Sequence, residues 1–134
     1  RQYQYYMLTV TTEGVQVGVE TSFQREFNKN NQSEFVFAYR ITIHNEGSYA
    51  VQLMRRHWYV FDSCGVNREV EGAGVVGEQP VIEPGQSYSY VSGCHLHTDI
   101  GAMHGIYQMK RLIDGKIFDA KIPRFTLVAP FKLN

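Results

Sequence analysis

Three glycines at the spacing G-x-G-x-x-G, in Gly72-Ala73-Gly74-Val75-Val76-Gly77, form the strongest chemical signal in the sequence. In dinucleotide-binding folds such glycines let a backbone approach a pyrophosphate, and a helix N-terminus behind the loop supplies N–H groups and a positive dipole end. Here the motif runs on into Glu78-Gln79-Pro80-Val81-Ile82-Glu83-Pro84-Gly85. Two prolines so close together leave no room for that helix, since each lacks an N–H and clashes with the turn before it. The glycines are expected instead to shape a loop between strands, through positive φ or close backbone approach, without binding a nucleotide. Gly72, Gly74, Gly77, Glu78, Gln79 and Pro80 are kept as a candidate loop for a ligand or partner, and a weak anion nest of its own N–H groups stays open.

Cys94-His95-Leu96-His97, with His104 beyond it, offers thiolate and imidazole donors of the kind that bind zinc, copper, nickel or cobalt. In an extended segment His95 and His97 share a face, but their spacing matches no structural zinc pattern. They are expected to be exposed loop histidines, with at most weak metal binding at His95, His97 or His104, so no cofactor is assigned. No G-x-S-x-G elbow accompanies the Ser, His and Asp residues, and Cys94 beside His95 makes no thiol nucleophile, because a base must be near in space. Cys94 is read as a small, partly buried thiol.

Arg56-His57-Trp58 combines residue types favoured at binding hot spots, although a strand tryptophan is more often core, and Trp58 is assigned there. In an unbulged strand Arg55 and His57 point opposite to Arg56 and Trp58, so at least one pair reaches the surface. Arg56 and His57 therefore join the candidate loop.

These residues must be positioned by strands. Val15, Val17, Val19, Thr21 and Phe23 alternate with polar residues or glycine, the period of a half-buried strand. The β-rich run Tyr5 to Thr12 precedes it, with Glu13-Gly14 as a hairpin turn. Gln24 to Glu34 reads as a polar surface loop, and Phe35, Phe37, Tyr39, Ile41 and Ile43 line one face of a long strand ending at Asn45-Glu46-Gly47-Ser48. Between Val51 and Phe61 the alternation changes phase, which a bulge near Arg55-Arg56 would reconcile. Asp62 to Gly65 is a turn, Val66 to Glu71 a short strand, and Pro84-Gly85 a turn before the Tyr88 and Tyr90 strand. Further strands are expected at Ile106 to Leu112, Phe118 to Ile122 and Phe125 to Val128, with Asp114-Gly115 between the first two. About eight short strands with no capped helical period predict an all-β antiparallel sandwich. Trp58 precedes both cysteines, so the disulfide arrangement of antibody domains does not apply.

The chain of 134 residues is the size of one domain, and residues 1–134 are read as a single unit. Thirteen basic residues balance thirteen acidic ones, so no net field attracts a phosphate backbone and no nucleic-acid partner is expected. No run approaches the roughly 18 apolar residues of a membrane span, nor does the N-terminus resemble a signal peptide. Cys64 and Cys94 are too few for a disulfide framework and are read as reduced thiols. Asn31-Gln32-Ser33 matches a glycosylation triplet, to which the missing secretory signal gives no weight. A cytoplasmic location is expected.

The sequence Gly72-x-Gly74-Val75-Val76-Gly77-Glu78-Gln79-Pro80, then Pro84-Gly85, then Tyr90-x-Ser92-Gly93-Cys94-x-Leu96, resembles the signature of the ApaG family. Phe35 to Ile43, Arg56-His57-Trp58, Gly101-x-Met103-x-Gly105-x-Tyr107-Gln108-Met109, and then Phe118-Asp119, Ile122-Pro123, Phe125, Leu127 and Pro130 resemble it in the same order. The likeness runs from about Val15 to Pro130. It departs at His95, where the family usually has proline, and the pattern calls for no histidine at His97 or His104. The resemblance implies an immunoglobulin or fibronectin-III-like β-sandwich. It also implies kinship with stand-alone bacterial proteins linked by name to cobalt and magnesium efflux, and with domains of F-box proteins and a polymerase-delta-interacting protein that serve as interaction modules. No reaction comes with it. The expected function is a non-enzymatic module with a protein partner. The alternative is a small-ligand or metal-responsive protein acting indirectly in divalent-cation efflux, and homo-oligomerisation is left open.

Overall fold

The computed structural model describes residues 7–25 and 34–130. Most of the expected Gln24 to Glu34 loop, the start of the Tyr5 run and the glycosylation triplet lie outside them. Among the described residues nine strands follow in order: β1 (Leu8–Thr12), β2 (Val15–Phe23), β3 (Phe35–Asn45), β4 (Val51–Asp62), β5 (Asn67–Ala73), β6 (Val81–Ile82), β7 (Ser87–Leu96), β8 (Ile100–Arg111) and β9 (Ile117–Val128). All pairings are antiparallel. One sheet runs β1-β2-β3-β7 and the other β5-β4-β8-β9, with β6 added beside β4. This is the antiparallel β-sandwich that alternation predicts, of the immunoglobulin or fibronectin-III-like kind that the family resemblance implies.

The core is the meeting of the two inner faces. Val15, Val17 and Val19 of β2 and Phe37, Ile41 and Ile43 of β3 are buried from one sheet, and Leu53, Tyr107, Met109 and Leu127 from the other. Trp58 is core, as expected, with its ring centroid 5.3 Å from Tyr39 and 6.0 Å from Phe125. Glu13 and Gly14, both at positive φ, close the β1-β2 hairpin as a two-residue loop.

Two irregularities set the phase of the second sheet. In β4 the register against β8 slips between Leu53 and Arg55, leaving Met54 as the extra residue. The bulge therefore lies one residue before its expected place at Arg55-Arg56. It rotates the rest of β4 so that Arg56 and Trp58 turn inward and Arg55 and His57 outward. Between β8 and β9, Met103 pairs with Phe125 and Gly105 with Ile122, so Pro123 and Arg124 stand opposite the single residue His104. Proline has no N–H for a ladder and is tolerated at such a bulge.

The C-terminal expectations need correction. Phe118 to Ile122 and Phe125 to Val128 are one strand, β9, continuous through the Pro123 bulge. The strand expected from Ile106 begins at Ile100. A Cβ at Gly101 would lie 2.5 Å from the Phe61 carbonyl oxygen, and one at Gly105 only 2.2 Å from that of His57. Those glycines serve close strand approach and do not mark a loop. Likewise β5 begins at Asn67, one residue after the expected Val66, and runs to Ala73.

The two flanks of the sandwich differ. On one, β1 and β2 lie close against β9, and the Lys121 N–H donates to the Thr12 hydroxyl oxygen at 3.1 Å. On the other, the edge strands β5 and β7 stand apart, and the gap between them is the mouth of a cleft.

Candidate functional site

Behind the β5/β7 mouth lies a cavity of about 300 Å³, between the sheets and under the glycine segment. Its construction follows from the β4 bulge. With Trp58 turned inward, Arg56 two residues earlier is inward too, and it pairs across the ladder with Gly72 of β5. A Cβ at Gly72 would meet the guanidinium nitrogens at 2.9 Å, so glycine is what leaves room for Arg56 to lie across β5. From there Arg56 Nη1 donates to the carbonyl oxygens of Ala73 and Gly74, at 3.0 and 2.9 Å.

The glycine segment is a small hairpin. Val75 and Glu78 exchange backbone hydrogen bonds of 2.8 and 2.9 Å around Val76 and Gly77, which sit at φ +43° and +79°. Positive φ at both central positions is the geometry of a type I′ turn, in which Asn-Gly or Asp-Gly is usual. A β-branched valine in that conformation is a true backbone outlier. Val75 points into the core and Val76 is 59% exposed, so the turn displays one apolar side chain over the mouth. Gly74 has φ +61°, and a Cβ there would fall 2.0 Å from the Glu78 carbonyl oxygen. Gln79 Nε2 donates to the Met54 carbonyl oxygen at 2.9 Å, and the Leu53 N–H donates to that of Pro80 at 3.0 Å, which fastens the hairpin to the β4 bulge. The Tyr88 hydroxyl donates to the Glu78 carboxylate at 3.0 Å.

Arg68, on the same face of β5 as Val70 and Gly72, spans the mouth. Its Nη2 donates to the His95 carbonyl oxygen on β7 at 2.5 Å and lies 3.4 Å from the Cys94 sulfur. Burial pushes the Cys94 thiol up, and the neighbouring Arg68 charge only partly offsets this, so Cys94 stays a thiol at neutral pH. Tyrosines form the inner wall. The Tyr90 and Tyr107 hydroxyls share a very short hydrogen bond, and burial raises both above the ordinary phenol value. Burial raises Tyr39 as well, partly countered by its hydrogen bond with Ser92. All three phenols are therefore neutral.

The ApaG domain profile matches residues 25–111. The chain belongs to the ApaG family. It is 48% identical over 124 residues to Protein ApaG of Methylorubrum extorquens strain PA1, covering 92% of this chain and 95% of that one. Protein ApaG of Pseudomonas aeruginosa strain LESB58 is 47% identical over 124 residues, covering 92% and 98%. Among solved structures, an ApaA protein from Bordetella pertussis superposes with a TM-score of 0.83 at 38% identity, over 88% of this chain and 95% of that one. A structural-genomics target solved by X-ray diffraction gives 0.82 at 40% identity, over 90% of each chain. These names carry no reaction.

In this ApaG chain Gly72, Gly74, Gly77, Glu78, Gln79, Pro80 and Arg56 come together as one unit. His57 does not join them. It lies on the outer face of β4, with Nε2 3.4 Å from Glu69 and Nδ1 3.0 Å from Glu71, its ring stacked on Tyr59 at 4.4 Å. The histidines expected in loops are placed otherwise: His95 is on β7, 3.7 Å from Glu34, and His104 is on β8, stacked on Tyr59 at 5.0 Å. His97 follows β7, and its N–H donates to Asp62 at 2.6 Å. They do not converge, and among the described residues no three His, Cys, Asp or Glu side chains are grouped to hold a metal. The glycine motif leads into Pro80 and β6, and no α-helix stands behind it among the described residues. Cys64 is exposed and Cys94 buried, neither in a disulfide. No helix among the described residues is long and apolar enough to cross a membrane.

Arg68, Tyr39, Tyr90 and Ser92 are site residues that the sequence reading passed over. The available signal was strand alternation, which puts Arg68, Val70 and Gly72 on one face of β5.

Proposed function

We propose that this chain is a non-enzymatic interaction module that binds a protein partner along the β7 edge and the Val76-Gly77 turn beside it. The observation that carries this reading is the edge itself. β7 pairs with β3 on one side only, and among the described residues no strand covers its other side, so its outward N–H and C=O groups are a template for an added strand. Val91, 50% exposed on that strand, and Val76 on the turn give an incoming segment apolar contacts. The raised phenols and the thiol form of Cys94 supply neither a general base nor a nucleophile near neutral pH. Two unpaired cysteines suit a cytoplasmic setting.

A photo-crosslinking residue at Val91 tests the reading, with the same residue at Gln108 on β8 as control. One partner protein captured from Val91 and not from Gln108, and competed by an unlabelled copy of the chain, is the expected result. Capture of a second copy alone would make β7 a homo-oligomer edge, and equal capture at both sites would end the proposal. The alternative, a ligand-responsive protein with an indirect part in cobalt or magnesium efflux, draws support only from the inter-sheet cavity, because no donor set for a metal is assembled among the described residues.

A further inference from the structure

We propose that the inter-sheet cleft is an oxyanion site, in which Arg56 and Arg68 receive a carboxylate or phosphate whose apolar body rests against Val70 and Val76. Both guanidiniums line the same cavity, and no carboxylate lines it with them. Their bonds to the protein are few for groups with five N–H donors each. Among the described residues Arg56 uses Nη1 alone, on two main-chain carbonyls, and Arg68 uses Nη2 alone, on a carbonyl and a thiol. Neither forms an ion pair among the described residues.

The acids nearby are engaged elsewhere. Glu69 and Glu71 face outward on His57, Glu78 accepts from Tyr88, and Asp62 accepts from the His97 N–H and the Thr98 hydroxyl. Two half-buried positive charges therefore face the same cavity with no counter-charge among the described residues, in surroundings where an unpaired ion is costly and an anion bound by a guanidinium fork is favoured. The walls do not compete for the guanidiniums, since the tyrosine hydroxyls are neutral and hydrogen-bonded to one another or to Ser92. The volume of about 300 Å³ is at the small end of ligand pockets, which suits one acidic group and a short apolar body. The oxyanion is the side chain of a docked segment or the head of a free organic acid, so the site stands whether or not the partner is a protein.

Solution NMR on the ¹⁵N-labelled full chain tests the site and tells a phosphate from a carboxylate, with 4-phenylbutyrate and phenyl phosphate as probes and 4-phenylbutanol and sodium chloride as controls. Saturable shifts are expected at the Arg68 side chain, at Gly74 to Glu78 and at Ser92 to Cys94, with the alcohol about tenfold weaker or more. Arg68→Gln should weaken the anion about tenfold while the melting temperature moves little, and Arg68→Lys should restore part of the loss. A preference for phenyl phosphate over the carboxylate points to a phosphorylated ligand, and the reverse to an acidic side chain or organic acid. The proposal fails if neither anion saturates, if the alcohol or chloride reproduces the shifts, or if Arg68→Gln titrates like the parent. Such a failure leaves the β7 edge reading intact, because crosslinking at Val91 does not require the anion.

Discussion

On one flank of the sandwich β1 and β2 press against β9, with the Thr12 hydroxyl accepting from the Lys121 backbone and Lys116 paired to Glu13 at 2.9 Å. On the other flank β5 and β7 stand apart, joined across the mouth by the Arg68 side chain. Each flank also carries a two-residue hairpin with a glycine second, Glu13-Gly14 on the closed side and Val76-Gly77 on the open side. The closed flank resolves its edge by packing, and its turn residue is a polar one that tolerates exposure. The open flank keeps a cavity, two arginines without counter-charges among the described residues, and a β-branched residue in a left-handed conformation. Unfavourable backbone geometry and uncompensated charge at one location are what binding sites tend to accumulate. The flanks therefore differ as a packed side and a side that keeps a cavity, which is the side the proposed contact would use.

The comparison breaks most sharply at Gly74. Gly74→Val adds a Cβ that cannot coexist with the Glu78 carbonyl, at a φ that disfavours any side chain, so a loss of about 3 kcal/mol or more is expected in urea denaturation. Glu78→Gln, which keeps an acceptor for Tyr88, should leave the same curve within about 0.5 kcal/mol.

Asp62 comes next, because it secures the β7-β8 turn at the end of the open flank. It is fully buried, and although burial pushes its carboxyl up, hydrogen bonds from Thr98, His97 and Cys64 outweigh that and hold it below the ordinary carboxylate value. Asp62→Ala should cost about 2 kcal/mol by leaving the His97 and Thr98 donors without their charged acceptor. The sign of the pH dependence follows from the lowered value. The contribution is in place above the unfolded carboxyl pKa of about 3.9 and is lost as pH falls through the lower folded value. Stability measured between pH 5 and pH 2 should therefore fall less steeply in Asp62→Asn than in the parent, and parallel slopes would remove Asp62 from the account.

Two turn substitutions give the smallest effects and sharpen the contrast. Val76→Asn relieves a β-branched residue at φ +43° and should stabilise by about 1 kcal/mol, and Glu13→Asn should stabilise by about half that. If Val76 contributes to contact, its stabilised variant should also lose crosslinked partner, whereas Glu13→Asn should not. Equal partner capture by both variants would mean that the valine serves no contact.

The strands were legible because single residues state their own side. Val15 to Phe23 alternates and is β2, and Glu13-Gly14 is the hairpin turn that its position between two runs demands. The phase change around Arg55 announces a bulge, although only the ladder shows Met54 as the extra residue. The segment from Ile100 to Gly105 falls outside the expected strand, and its glycines permit close strand approach. The candidate loop was visible as a motif, but its partners were not. That Gly72 answers to Arg56 depends on the pairing of β4 with β5, and that Arg68 reaches His95 depends on how far apart β5 and β7 end. Neither is written in local sequence. Nor does any propensity rule place Val76 in a left-handed turn.

Because one flank is packed and the other is crossed by side chains, Arg68 to the His95 carbonyl and Tyr88 to Glu78, the two sheets are attached along a spine and tied more lightly along a fore-edge, like the covers of a book. Opening about that spine would widen the cleft without disturbing the strand ladders within either sheet. The hydrogen bond from Arg68 to the His95 carbonyl is one of the ties such an opening would break. A guest that draws the guanidinium inward would undo that tie even as it occupies the space between the covers, leaving Tyr88 and Glu78 to hold them.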